Sequence, residues 1–146
     1  MRRLGTFVPF LVAIGVTFFG FGFAGGWLGE FAESVARSMA GGGAITRGTA
    51  LWVLLALDAI VLVLTFAGSY LGGVSLPSGL PHVAFGLFFP LTLAAGQARF
   101  FELAGSVDGL SDAFGGYNFA AMFVLVIVMA ELGVQLSRRR YERRSA

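Results

Sequence analysis

The sequence predicts an all-α membrane protein in which four transmembrane helices form an up-down bundle, with a short amphipathic helix after the first. Two observations support this fold class: an apolar composition and long, mostly apolar stretches. Of the 146 residues, 57% are hydrophobic and only 12% are charged, and the mean hydropathy is +0.84. A soluble domain of this size needs more polar surface. We therefore expect residues 1–146 to form a single transmembrane domain.

The apolar stretches set the number of spans. A helix needs roughly 20 mostly apolar residues, at about 1.5 Å rise each, to cross a hydrocarbon core about 30 Å thick. The stretch that contains Pro90 also carries Gln97, Arg99 and Glu102 towards its end, so we expect it to be kinked or partly re-entrant. The predicted spans are residues 4–28, 49–71, 81–103 and 114–136.

The N-terminal region admits two interpretations. Arg2 and Arg3 before an apolar run, with small residues after it, are also typical of a signal peptide. The run is longer than a signal core of about 7 to 15 residues, so a retained span is favoured. Beyond it, Trp27, Phe31, Val35 and Met39 recur every four residues. This stripe predicts an amphipathic helix on the outer membrane surface or, equally, an extension of the first span packed on a neighbour.

The distribution of arginine predicts the orientation of the spans. Basic residues precede the first span and follow the last, where residues 137–146 form a basic tail, so the positive-inside rule places both termini in the cytoplasm. This arrangement requires an even number of spans, and the plasma membrane is the expected location. The arginines that determine this orientation are Arg2, Arg3, Arg138, Arg139, Arg140, Arg143 and Arg144.

Asp58 is the candidate functional residue, because it is an acid inside the apolar run WVLLALDAIVLVLTFAGSY. It lies about 13 Å from the outer end of its span, too deep for its charge to reach water. Such an acid is either protonated or paired inside the bundle. Arg99, about 7 Å away in depth, is the expected partner. The pair is interpreted as a structural lock between spans, with a proton or ion relay as the alternative.

Glu131 and Gln135 form a second polar feature, one helical turn apart near the cytoplasmic end of the last span. They are candidates for a pathway mouth or an interface. A glutamate that reaches the membrane surface beside the arginine cluster explains them without transport, and this interpretation is favoured.

Two pairs of glycines predict close helix packing, Gly22 with Gly26 and Gly68 with Gly72. Small residues four apart let helix backbones approach each other in membranes. The spacing leaves open whether they pack spans within one chain or between chains.

No catalytic or phosphate-binding motif is recognisable, and with no Cys and a single His the chain is expected to be non-enzymatic and to bind no cofactor or metal. The expected function is that of an accessory, anchoring or scaffold subunit of a membrane complex. The alternative is a small dimeric transporter or channel in which Asp58 and Glu131 handle protons or cations. The expected partners are the lipid bilayer and either other membrane subunits or a second copy of the chain, and not nucleic acid.

Overall fold

The computed structural model describes residues 4–74, 80–105, 107 and 109–145, and this part of the chain is helical without any strand. The predicted all-α class is therefore confirmed. The inner connection after α2 and the acid Asp108 lie largely or wholly outside the described residues. The elements are α1 (Leu4–Met39), α2 (Arg47–Gly72), α3 (Leu80–Val83), a π-helical segment (Ala84–Phe88), α4 (Phe89–Ala104) and α5 (Leu110–Ser145).

The amphipathic stretch after the first span is not a separate helix, because α1 runs without a break from Leu4 to Met39. Of the two interpretations left open by the sequence, the extension of the first predicted span is the one found, but its stripe is largely exposed, with Trp27, Phe31 and Met39 at 65%, 50% and 60%. At about 1.5 Å per residue, the 36 residues of α1 form a helix about 54 Å long. This length is well above the thickness of a bilayer hydrocarbon core, which is about 30 Å. Trp27 and Phe31 stack with ring centroids 5.8 Å apart. Helix α1 ends where Gly41 and Gly42 adopt positive φ angles, a conformation that favours glycine.

The third predicted span is helical but irregular, as its sequence suggests. Its first turn, α3, leads into the π-helical segment, and the regular helix α4 begins immediately before Pro90. Proline has no N–H to donate to the preceding turn, which explains why regular α-helical bonding is interrupted at this position. The side chain of Pro90 is nonetheless buried among its neighbours.

Three helical stretches are long and apolar enough to cross a membrane, namely Phe7–Met39, Arg47–Gly72 and Leu110–Arg144. These correspond to the first, second and fourth predicted spans. The third predicted span is not among them in the described part of the chain. Its regular helix, α4, has only 16 residues and carries Gln97, Arg99 and Glu102.

Alternate helices, rather than consecutive ones, make the closest contacts. Helix α1 packs along α4, with Gly25 opposite Thr92 and Gly29 opposite Arg99, so residue numbers rise together and the two helices run parallel. Helices α2 and α5 pair in the same way. Small residues allow both close approaches, since a side chain would separate the backbones.

The α2–α5 contact is closest towards the C-terminal end of α2. A Cβ atom on Gly133 would lie 2.7 Å from the carbonyl oxygen of Phe66, and one on Gly73 would lie 3.0 Å from the Cβ of Ser137. The two pairs meet around a core whose most fully buried large side chains are Leu54, Leu93, Phe100 and Val126.

Candidate functional site

Asp58 is buried at the meeting point of three helices, with 6% of its surface exposed. Its Oδ1 atom accepts a hydrogen bond from Nε2 of Gln97 at 2.9 Å and a longer one from Nδ2 of Asn118 at 3.4 Å. The acid belongs to α2, Gln97 to α4 and Asn118 to α5. A single carboxyl group thus connects both helix pairs through the amide groups of two side chains.

The predicted pair of Asp58 with Arg99 is not formed. Arg99 lies on the other side of α4, where its Nη1 atom is 2.8 Å from Oε2 of Glu102 and its Nη2 atom is 3.4 Å from Oε1 of Glu30. Gln97 and Arg99 are two residues apart, which is about 200° around a helix, so they face opposite directions. Arg99 therefore joins α4 to α1 at a partly exposed surface, and an uncharged amide takes the place expected for it beside Asp58.

Gln97 and Asn118 are the partners that the sequence interpretation missed. Both were visible as polar residues within predicted spans, and each lies, like Asp58, in the outer half of its span. A charged partner is the obvious match for an acid, but two amide N–H donors can stabilise a buried carboxyl group without adding a second ion.

A cavity of about 440 Å³ between α4 and α5 leads to this cluster. Gln97 lines its wall together with Ser111 from the first turn of α5 and the small residues Gly115 and Gly116. Asp58 itself does not line the cavity, whereas Gln97, which donates a hydrogen bond to it, does.

The second predicted polar feature is held together by a hydrogen bond. Nε2 of Gln135 donates to Oε1 of Glu131 at 2.7 Å, and the two residues share one face of α5. Gln135 is exposed and Glu131 is half-buried. The bond links neighbouring turns of one helix and does not connect this feature to the Asp58 cluster.

The predicted packing glycines have different environments. A Cβ atom on Gly22 or Gly26 would meet open space, whereas one on Gly29, also in α1, would lie 2.6 Å from the carbonyl oxygen of Gly96. The tight contact within the chain therefore uses the face that carries Gly25 and Gly29. Packing of Gly22 and Gly26 between chains stays a prediction.

In the second predicted pair, Gly68 lies against the ring of Phe85, with 2.7 Å between its Cβ position and Cζ of that ring. Gly72 is buried. Gly68 thus lies in a close contact with a side chain of the π-helical segment, and helix packing by the pair as a whole stays a prediction.

The described residues hold no group of three His, Cys, Asp or Glu side chains able to bind a metal ion. The arrangement around Asp58 is chemically that of a polar clamp: one acceptor group held by two donors on separate helices.

Together, the fold and the clamp define an all-helical protein with three apolar helices long enough to span a membrane. Comparison with protein-family models, with curated proteins and with solved structures found no match for this chain.

Proposed function

We propose that the chain is a non-enzymatic integral membrane protein with four spans and both termini in the cytoplasm, acting as an accessory, anchoring or scaffold subunit of a plasma-membrane complex. The observation that carries the proposal is the buried clamp of Asp58 with Gln97 and Asn118. A buried polar group that accepts hydrogen bonds from neighbouring helices helps to fix their arrangement. This is the property required of a rigid platform for other subunits.

The stretch of residues 80–104 is proposed as the remaining span, the third in chain order. Its 25 residues reach about 38 Å when helical, which is enough for a hydrocarbon core of about 30 Å. It lies parallel to α1, and glycine contacts hold the two together. An even number of spans also agrees with the basic residues at both ends of the chain.

The surface proposed for partner binding is an aromatic stripe on α1 formed by Phe19, Phe23 and Trp27. The residues are four apart and are 90%, 86% and 65% exposed. Large aromatic side chains are enriched where proteins bind each other. Lipid contact is the other use of such a stripe, and it is distinguished by the experiment below.

Photo-crosslinking from position 23 tests the subunit role. A photoreactive amino acid replaces Phe23 in the full chain, expressed in its native membranes, and is expected to crosslink one protein partner that also co-purifies in mild detergent. Phe23→Ala should reduce this co-purification severalfold without changing helical content, because it removes an exposed ring. The same amino acid at buried Leu54 is the control and should give no partner adduct. Recovery of the chain only as a monomer or homo-oligomer, with no partner from position 23, contradicts the proposal.

A second candidate function, a small dimeric transporter or channel, is favoured by one observation. The cavity between α4 and α5 reaches Gln97, whose amide contacts Asp58. Movement of Gln97 would open Asp58 to an ion or a proton, and Glu131 with Gln135 would form the cytoplasmic mouth. Two copies would be needed, because a single chain of this size provides few pathway-lining helices.

Ion flux measures this alternative directly. Proteoliposomes with the purified chain should show proton or cation flux that falls at least tenfold in Asp58→Asn, since the variant keeps the hydrogen-bonding shape but cannot ionise. Gln135→Ala, at the exposed end of the cytoplasmic feature, is expected to reduce flux less. Equal flux from wild type and Asp58→Asn, or none from either, rejects the transporter.

A further inference from the structure

A pocket lined by arginines lies where the apolar part of α5 ends. It has a volume of about 350 Å³ and opens between the C-terminal part of α2 and the C-terminal part of α5. Its lining residues on α5 are three or four apart, so they project from one face of the helix. The lining comprises Tyr70, Leu136, Arg139, Arg140 and Arg143.

One of these arginines is held in position by α2. Nη1 of Arg140 donates a hydrogen bond to the phenolic oxygen of Tyr70 at 2.6 Å. The Tyr70 ring stacks on Phe66, with ring centroids 6.3 Å apart, and this stacking limits its movement. The guanidinium group is therefore oriented by contacts outside its own helix, as expected of a formed site rather than a freely moving surface arginine.

The pocket carries positive charge that no acid in the described chain offsets. Across residues 4–74, 80–105, 107 and 109–145, Arg139 and Arg143 have no acidic partner. The acid on this part of α5, Glu142, lines a different pocket, together with Arg138 and Tyr141. Converging guanidinium groups without a counter-charge favour an anion, and phosphate suits their geometry best.

Below the arginines the same face of α5 carries exposed leucines, with Gln135 at its edge. Leu136 lines the pocket, and Leu132 lies one turn closer to the centre of the helix; these side chains are 46% and 44% exposed. Positive charge directly above exposed leucines matches a ligand with an anionic head and a hydrocarbon tail. Free phosphate would use the arginines alone.

We propose that this pocket binds the phosphate group of an anionic phospholipid from the cytoplasmic leaflet. The guanidinium groups of Arg139, Arg140 and Arg143 contact the phosphate, and Leu132 and Leu136 contact an acyl chain. The inference rests on the proposed membrane location but requires no protein partner. Basic residues immediately cytoplasmic of a span, in a pocket between helices, are suited to such headgroups.

The test measures binding of phosphatidylglycerol to the full chain in mild detergent, by native mass spectrometry and by its effect on the unfolding temperature. Arg139→Gln/Arg143→Gln should weaken binding roughly thirtyfold, because each arginine near a membrane surface contributes about fivefold. Arg138→Gln/Arg144→Gln removes two charges from the same tail but from outside the pocket, and should weaken binding about fivefold or less. Tyr70→Phe, which frees Arg140, should give an intermediate loss.

Three results would overturn the proposal. One is an equal loss in the two double variants with unchanged helical content, which indicates general attraction to the tail. Another is equal binding of phosphatidylcholine, and the third is inorganic phosphate binding as tightly as phosphatidylglycerol, which would remove the role of the leucines. Alkaline extraction of native membranes keeps this test separate from the proposed function, since a chain that stays in the membrane fraction supports the location whatever lipid it binds.

Discussion

Replacement of Gly29 by alanine is expected to lower the free energy of unfolding by about 1–3 kcal/mol, the usual cost of overpacking a tight contact. The new Cβ atom would lie 2.6 Å from the carbonyl oxygen of Gly96 and 2.6 Å from the Cβ of Arg99. Neither atom is the far end of a flexible side chain, so α1 and α4 must separate. Thermal unfolding in detergent, followed by helical circular dichroism, measures the loss.

Gly26→Ala is the matched control. It makes the same chemical change on the same helix and gains the same helix propensity, up to about 1 kcal/mol, but its Cβ atom meets open space. The difference between the two variants therefore isolates the α1–α4 contact. Equal unfolding temperatures would show that this contact does not hold the helices together. A change in oligomeric state for Gly26→Ala alone would instead support its packing between chains.

Removal of the Asp58 carboxyl group is expected to destabilise the helix arrangement by about 1–2 kcal/mol. Asp58→Ala leaves the amides of Gln97 and Asn118 without their acceptor. A lost hydrogen bond between membrane helices costs about 0.6 kcal/mol on average. The buried donors left without a partner increase this cost. Asp58→Asn should retain most of the stability, because its carbonyl oxygen can accept a hydrogen bond from Gln97. The same unfolding measurement compares the variants.

A double-mutant cycle identifies the clamp specifically. Gln97→Ala should cost much less in the Asp58→Ala background than in the wild type, giving a coupling of about 0.5 kcal/mol or more between the two residues. Arg99→Ala provides the contrasting cycle, because Arg99 contacts Glu30 and Glu102 rather than Asp58. Additive effects for Asp58 with Gln97, or stronger coupling with Arg99, would disprove the assignment of partners.

The comparison of Gln97 with Arg99 shows what the sequence could and could not predict about this site. Counting residues from the end of a predicted span gives an expected depth, and that depth predicts a partner for Asp58; the structure shows the acid buried and bonded to two amides. Which way a side chain points around its helix depends on which neighbouring helix is packed there. The two candidates are similar in depth but lie about 200° apart, so depth alone could not choose between them.

The same reason limits the prediction of glycine contacts. Helix α1 contains Gly22 with Gly26 and Gly25 with Gly29, two pairs with identical spacing. Only the face turned towards α4 uses its glycines for close contact, and that orientation is a property of the assembled helices. By contrast, the helical class, the presence of three long apolar helices and the irregularity near Pro90 follow from local composition and were predictable.

The pairing of alternate helices has a consequence for how the chain is made. Helix α1 is synthesised before α4, and α2 before α5, so neither helix can reach its parallel partner when it first emerges from the ribosome. Each pair of helices forms only after the intervening elements of the chain have been made. The bonds to Asp58 are complete only once α5 is present, because Asn118 on α5 supplies the second donor.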